Sequence, residues 1–270
     1  MTTTGSAPAL LCVDDVRITY KRPGQGVLTA VDGVSLELAR GEVLGLVGES
    51  GCGKSTLARA ICGLEPLAGG AIRYEGAQVR PLGLRRRARP ELGIQMVFQK
   101  PYASLNPRRR IGEQIEDALA LGRAPGASVE SLLADVDLPA GAAASYPHQF
   151  SGGQRQRIAI ARALAAGPHL LIGDEPIASL DASLQARLAL LMRDLARERG
   201  TSLLFISHDM AVVRLIADRI AVMRAGRVVE VGTAQRVWSA PEHHYTAGLL
   251  ASIPIPDGAG RLPGPESAAV

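Results

Sequence analysis

Residues 48–56 read GESGCGKST and match the phosphate-binding pattern G-x-x-x-x-G-K-[ST] in full. A strand-like apolar run, EVLGLV at residues 42–47, leads into this stretch, and residues 55–64 carry leucine and isoleucine at helical spacing. The pattern requires a strand before it and a helix after it, and both are indicated here. The stretch therefore predicts a glycine-rich loop that binds the phosphates of a nucleotide.

Each residue of this loop is expected to contact ATP. Gly48, Gly51 and Gly53 let backbone N–H groups turn inward around phosphate oxygens, and the following helix directs its positive end to the same anion. Lys54 is expected to reach the β- and γ-phosphates, and Ser55 to ligate Mg²⁺. The other expected ATP contacts are Glu49, Ser50, Cys52 and Thr56. The thiol in this set is interpreted as a small filler rather than a catalyst.

A pair of acids is predicted beside the loop. Residues 170–176 read LLIGDEP, an apolar strand that ends in two adjacent carboxylates. Because the carboxyl ends of parallel strands meet at one edge of a sheet, Asp174 and Glu175 are expected near the phosphates. Asp174 can hold Mg²⁺ through its water shell, and Glu175 can orient and deprotonate an attacking water. Two acids favour ATP hydrolysis over kinase-like transfer.

The order of elements around these motifs predicts an α/β fold. Strand-like segments fill residues 10–38, and helical pieces broken by glycine and proline fill residues 101–147. The segments that follow are a helix at 154–166, a strand at 170–173, a helix at 182–199 and a strand at 202–207. This alternation is typical of a mostly parallel sheet, here with a small β subdomain and an inserted helical subdomain.

Length and composition limit the function classes. The chain has 270 residues, 47% hydrophobic and 21% charged, which is room for one large domain and not for two catalytic domains. No uncharged apolar run approaches the roughly 18 residues that cross a bilayer, and no secretory leader pattern is present. Because Cys12, Cys52 and Cys62 form no CxxC pair, a reducing cytosol is expected.

A second anion-binding stretch is predicted at residues 150–157, FSGGQRQR, which lead into a helix. Ser151, Gly152 and Gly153 present free N–H groups at that helix N-terminus. One ATP already occupies the phosphate loop, so the second stretch serves either a second ligand or a second copy of the chain. The spacing alone leaves both alternatives open.

With SGGQ ahead of DEP, and with ASLD at residues 178–181 and ISHD at 206–209 after it, the chain resembles the ATP-binding-cassette (ABC) ATPases. The resemblance implies a P-loop NTPase cassette with a RecA-like parallel-sheet core, an antiparallel β subdomain and an inserted α-helical subdomain. The bounds it implies are 10–254 for the cassette, about 101–150 for the helical subdomain, and 1–9 and 255–270 for flexible tails.

The resemblance also implies that the site is shared between two chains. Ser151, Gly152, Gly153 and Gln154 would contact the γ-phosphate of ATP held by the opposite ATPase subunit, identical or homologous. Two chains would then close around two nucleotides.

Further roles follow from the same resemblance. His208 would grip the γ-phosphate, and Gln99 would sense Mg²⁺ and the attacking water. Asp181 would lie in the loop that links the two sites, and Tyr20 would stack on the adenine. With Glu175, His208 and Gln99 form the expected catalytic set.

Three longer segments resemble the ATPases of oligopeptide, dipeptide and nickel importers: VFQKPYASLNPR at 97–108, YPHQFSGGQRQRIAIARAL at 146–164 and PEHHYTAGLL at 241–250. Gly173 and His244 depart from that pattern without removing a reacting group. The resemblance implies import through two integral membrane permease subunits, fed by an extracytoplasmic solute-binding protein, with this subunit on the cytoplasmic face of the inner membrane. The cargo stays open between di- or oligopeptides and a nickel or metallophore complex.

A rival interpretation is a soluble ABC ATPase that handles nucleic acid, and the net charge of +4 is too small to decide for or against it. The arginine runs at residues 85–89 and 108–110 could bind nucleic acid or anionic lipid, but short runs without interleaved aromatics are typical of a solvated face. The second run could instead touch the permease. Nucleic-acid-handling members usually carry tandem cassettes, a coiled coil or a zinc module, and none fits here. No nucleic acid partner is expected.

Overall fold

The computed structural model describes residues 9–24, 26–82, 90–99, 104–178 and 181–253. An antiparallel sheet in the order β2-β1-β4-β5 consists of β1 (Leu11–Arg22), β2 (Gly26–Leu38), β4 (Gly69–Tyr74) and β5 (Ala77–Gln78). A larger sheet in the order β10-β9-β3-β8-β7-β6 consists of β3 (Val43–Val47), β6 (Ile94–Val97), β7 (Leu170–Asp174), β8 (Ser202–Ser207), β9 (Arg219–Arg224) and β10 (Arg227–Thr233). All neighbours in the larger sheet are parallel except β9 and β10, as the alternation of elements predicted.

The helices cover the larger sheet and form the inserted layer. They are α1 (Lys54–Ile61), α2 (Ile111–Leu119), α3 (Val129–Asp135), α4 (Gly152–Ala165), α5 (Ala182–Glu198), α6 (Met210–Ile216), α7 (Ala234–Ser239) and α8 (His244–Ala251). Between β6 and α4, the described residues form α2, α3 and short 3₁₀ turns, with no strand. In the part of the chain that the structure describes, no helix has both the length and the apolar character needed to cross a bilayer.

The central strands are buried on both faces because helices or the antiparallel sheet cover each side. Every residue of β3, β7 and β8 is buried, which explains their continuous apolar sequences. Along β3 the side chains alternate between two cores: Val43 and Val47 belong to the core on the side of α6, whereas Leu44 and Leu46 belong to the core that contains α1 and the antiparallel sheet. Two hydrophobic cores therefore hold this sheet from opposite sides.

The parallel order sets the position of the functional residues. The loop at 48–56 follows β3, the two acids end β7, and His208 follows β8. Because β6, β7, β8 and β3 are neighbours with the same direction, their carboxyl ends lie along one edge of the sheet. Gln99 follows β6 at that same edge.

Some expectations fall outside the described residues. These are the arginine run at 85–89, residues 101–103 of the predicted helical subdomain, and the predicted tails apart from residue 9. In the second arginine run, Arg109 pairs with Glu113 and with Asp117. The described structure also contains elements that the sequence patterns did not assign: β4 to β6, β9, β10 and α6 to α8.

Candidate nucleotide-binding site

The loop after β3 is packed so closely that two of its positions admit only glycine. Gly48 has φ +151°, and a Cβ there would lie 2.1 Å from the Met223 carbonyl oxygen of β9. Gly53 has φ +108°, and a Cβ there would lie 2.2 Å from the Ala30 carbonyl oxygen of β2. Both sheets therefore touch the loop backbone, which fixes its path before any ligand arrives.

Lys54, the first residue of α1, is folded back over the loop. Its side chain is only 3% exposed, and its Nζ donates to the carbonyl oxygens of Gly48 at 2.7 Å and Glu49 at 2.8 Å. Cys52 is buried beneath the loop with its Sγ 3.8 Å from the same ammonium, and burial raises the pKa of this thiol. An anion at the mouth of the loop offers Lys54 stronger partners than neutral carbonyls.

Ser55 and Asp174 join the loop to the end of β7. The Ser55 hydroxyl donates to the Asp174 carboxylate at 2.6 Å, and Asp174 is only 4% exposed. Burial is the main reason why the pKa of Asp174 is raised. A hydroxyl and a carboxylate in contact are the hard oxygen ligands that Mg²⁺ prefers, so these residues fit the ion that the sequence predicted.

Glu175 lies at the centre of the charged and polar groups of the site. Its carboxylate oxygens lie 4.0 Å from Lys54 Nζ, 3.2 Å from Gln99 Nε2 and 3.5 Å from His208 Nδ1. Its backbone has φ +46°, a left-handed conformation, and its N–H donates to the Ile206 carbonyl at 3.0 Å. This unusual backbone turns the carboxylate toward the loop rather than along the strand.

A cavity of about 350 Å³ opens over these groups. Its described lining residues are Tyr20, Leu28, Ala30, Ser50, Gly51, Gly53, Lys54, Ser55, Thr56, Gln99 and Glu175. Tyr20 is thus brought to the phosphate loop from the end of β1. Burial raises the pKa of the Tyr20 phenol, and Glu65 nearby acts in the same direction. The cavity combines an aromatic side chain, a phosphate loop and a carboxylate.

The SGGQ stretch lies elsewhere on the surface. Ser151 is the N-cap of α4: its hydroxyl accepts the N–H of Gln154 at 3.3 Å, and its own N–H donates to the Gln154 side chain at 2.9 Å. A Cβ on Gly152 would meet nothing within 4 Å. Among the described residues that line the cavity, none of Ser151, Gly152, Gly153 and Gln154 is present. The structure does not bring this stretch to the chain's own loop.

Asp181 caps the next long helix. Its carboxylate accepts the N–H of Leu184 at 3.0 Å and the hydroxyl of Ser183 at 2.8 Å, and these bonds hold the pKa of Asp181 below its usual range. Residues 179 and 180, which link it to the end of β7, are outside the described set.

One contact to the loop was missed by the sequence reasoning. The hydroxyl of Tyr245 in α8 accepts the N–H of Glu49 at 3.2 Å. The only signal was the segment PEHHYTAGLL, which entered as part of a resemblance and not as a site.

The chain is similar to a known family and to known proteins. A family model described as ABC transporter matches residues 31–178. A Brucella abortus (strain 2308) protein is 47% identical over 243 residues, which cover 86% of this chain and 71% of the relative. This relative carries the provisional name of a peptide import ATP-binding protein. A similarly named Brucella ovis protein is 44% identical over 236 residues, 85% of this chain and 74% of the relative.

Solved structures give the same picture. The ATP-binding cassette MJ0796, in a dimeric post-hydrolysis state bound to ADP and Pi, aligns with a TM-score of 0.73 at 29% identity over 83% of this chain and 98% of that one. The protein cbiO1 from Clostridium perfringens, part of the ABC transporter complex cbiONQ, aligns with a TM-score of 0.73 at 26% identity over 90% and 96%. The predicted cassette fold is confirmed.

Proposed function

The chain belongs to the ABC transporter family, and we propose that it is the ATP-hydrolysing subunit of an importer for di- or oligopeptides. The observation that carries the enzymatic part is the convergence of Lys54, Gln99 and His208 on the Glu175 carboxylate, at the mouth of the phosphate loop. The cargo rests on the relatives, whose names refer to peptide import.

ATP binds along the 48–56 loop with its adenine against Tyr20. Lys54 leaves the two loop carbonyls and pairs with the β- and γ-phosphates, which replaces neutral acceptors with charged ones. Ser55, Asp174 and Gln99 would hold Mg²⁺, which would supply positive charge to offset that of the phosphates.

Hydrolysis is an in-line displacement at the γ-phosphorus. The water oxygen forms a bond to phosphorus, its proton passes to the Glu175 carboxylate, and the bond from phosphorus to the bridging oxygen breaks to leave ADP. Gln99 and His208 flank the same carboxylate, so they can orient the water and the γ-phosphate around it. Glu175 is only 13% exposed, which limits competition from bulk solvent.

The complete active site needs a second ATPase subunit, identical or homologous. Residues 151–154 are not among the described residues that line the chain's own cavity, and they bind the γ-phosphate held by the partner, with Asp181 in the loop between the two sites. The closure of this dimer acts on two integral membrane permease subunits, and an extracytoplasmic solute-binding protein delivers the cargo to them. The subunit then works at the cytoplasmic face of the inner membrane, within a cassette spanning residues 10–254.

The cargo is tested by deleting the gene and measuring uptake of a labelled dipeptide, a labelled tetrapeptide and nickel. We expect loss of peptide uptake and normal nickel uptake, with restoration by the wild-type gene and not by a Glu175→Gln gene. Loss of nickel uptake with normal peptide uptake would assign the chain to metal import instead. Normal uptake of all three, together with salt-dependent binding of DNA or RNA by the purified chain, would favour the nucleic-acid alternative.

A further inference from the structure

The segment after β10 reaches back to the start of the phosphate loop. Tyr245, which is 8% exposed, accepts the Glu49 N–H at 3.2 Å across 196 residues of sequence. The phenol oxygen of Tyr245 makes this contact directly. The contact therefore links the C-terminal helix directly to the backbone of the nucleotide site.

The peptide unit between Gly48 and Glu49 is held from both ends. Its carbonyl oxygen accepts Lys54 Nζ at 2.7 Å, and its N–H donates to Tyr245. When Lys54 moves to the phosphates, the bond at the carbonyl end is lost, whereas the bond from the Glu49 N–H to the Tyr245 hydroxyl does not involve Lys54. In the nucleotide-bound state the phenol then still restrains this peptide by a hydrogen bond, beside the close packing of Gly48 on the Met223 carbonyl.

The phenol is itself firmly placed. The Glu230 carboxylate of β10, 6% exposed, accepts the backbone N–H groups of Glu242 at 2.9 Å and His243 at 3.1 Å, just before α8. The His243 ring nitrogen Nδ1 accepts the Tyr245 N–H at 3.1 Å. These bonds fix the first turn of α8 against the core sheet, so the hydroxyl is presented at a defined point.

A cation covers the ring. The Arg224 guanidinium, at the end of β9, lies 4.8 Å from the centroid of the Tyr245 ring. The residue before it, Met223, supplies the carbonyl that packs against Gly48. The same strand end therefore supports both the aromatic ring and the loop that the ring contacts.

We propose that Tyr245 is a positioning residue for the nucleotide site, which holds the Gly48–Glu49 peptide in place when Lys54 transfers to the phosphates. This inference rests on the proposed function, since it takes the 48–56 loop to be the ATP site. In the free chain Lys54 and Tyr245 both restrain the peptide, whereas in the bound state Tyr245 does so without Lys54. Loss of the hydroxyl should therefore weaken nucleotide binding more than it weakens folding.

The test is Tyr245→Phe, which removes the hydroxyl and keeps the ring under Arg224. The matched control is Tyr74→Phe, because the Tyr74 hydroxyl is buried and has no hydrogen-bond partner within the described residues. Lys54→Ala serves as the reference for loss of the site. The full-length chain is used to measure the Kd values of Mg-ATP and ADP by calorimetry, the KM and kcat of hydrolysis, and the free energy of unfolding.

We expect Tyr245→Phe to raise both Kd values and KM about fivefold, the change that one neutral hydrogen bond brings, with kcat within about twofold of wild type. Tyr74→Phe should leave all three constants unchanged. Wild-type Kd and KM in Tyr245→Phe, with Lys54→Ala deficient, would overturn the positioning role alone. A parallel fall of kcat and unfolding free energy with unchanged KM would also overturn it. Normal binding by Lys54→Ala would instead refute the proposed nucleotide site.

Discussion

The two anion-binding stretches of this chain, residues 48–56 and Ser151–Gln154, are built in opposite ways. The first is restrained by distant parts of the fold: the Met223 and Ala30 backbone, the Asp174 carboxylate and the Tyr245 hydroxyl all contact it. The second is held by its own capping box, with exposed residues and open space around Gly152. One stretch is built into the core, and the other is presented at the surface.

The difference indicates which part of the site a single chain can complete. The core-bound loop already has its lysine, its acids and its cavity in place before ligand binds. The surface stretch offers the N–H groups of a helix N-terminus, where the local potential is positive. None of its four residues is among the described residues that line the chain's own cavity. Such a stretch suits an anion that a second subunit carries to it.

The largest expected effect comes from Glu175→Gln in the core-bound region. The amide keeps the shape of the side chain but cannot accept the proton from water, so hydrolysis should fall at least about 100-fold. ATP affinity should be kept or increased, since a negative charge 4.0 Å from Lys54 Nζ is removed. Hydrolysis is followed by phosphate release and affinity by calorimetry.

The same variant, Glu175→Gln, also tests whether the two stretches meet across a dimer. With ATP bound and not cleaved, the chain should accumulate as a dimer on size-exclusion chromatography, in which each SGGQ stretch covers the partner's nucleotide. Glu116→Gln, an exposed acid on α2, is the matched control and should behave as wild type. Hydrolysis by Glu175→Gln within threefold of wild type would remove Glu175 from the role of base.

A second prediction applies one substitution to both regions. Gly48→Ala places a Cβ 2.1 Å from the Met223 carbonyl oxygen in a left-handed backbone, and should lower the free energy of unfolding by about 3 kcal/mol. Gly152→Ala meets nothing within 4 Å and lies in the first turn of α4, so it should change stability by no more than about 1 kcal/mol. Urea unfolding measures both. Equal losses of stability would contradict the contrast between a core-bound and a surface stretch.

How far the sequence leads depends on whether a signal is local. The motif at 48–56 and the strand and helix around it lie within one short segment, and the structure places β3 and α1 there to within a few residues. By contrast, β9 pairs in parallel with β3 although the two strands are far apart along the chain, and no pattern in Arg219–Arg224 indicates that β3 is its neighbour. The order of the strands in the sheet could therefore be seen only in the structure.

The same distinction applies to the site. Asp174 and Glu175 were predicted beside the loop because strand ends share an edge, and the Ser55–Asp174 contact at 2.6 Å agrees with that argument. Gln99 and His208 entered only through family resemblance, and their proximity to Glu175 is a result of sheet order. Tyr245 entered only within a segment that carries a resemblance, and its contact was not predicted because its partner, the Glu49 N–H, lies 196 residues away in the sequence.

The last and smallest effect separates folding from function at the surface stretch. Ser128 and Ser151 make equivalent capping boxes at the starts of α3 and α4: each hydroxyl accepts a backbone N–H three residues on, at 3.1 Å and 3.3 Å. Replacing either serine with alanine removes one N-cap, so each variant should lose about 1 kcal/mol of unfolding free energy. Only Ser151→Ala also removes a hydroxyl that, in the proposed dimer, would contact the partner's phosphate. Its ATP hydrolysis should fall about tenfold, as expected for a hydrogen bond to a charged group, while Ser128→Ala hydrolyses normally.

ATP affinity of the isolated chain should be the same in both variants, because neither hydroxyl lines the chain's own cavity. If the two variants lose stability and keep activity alike, Ser151 is a helix cap and nothing more, and the surface stretch has no part in hydrolysis.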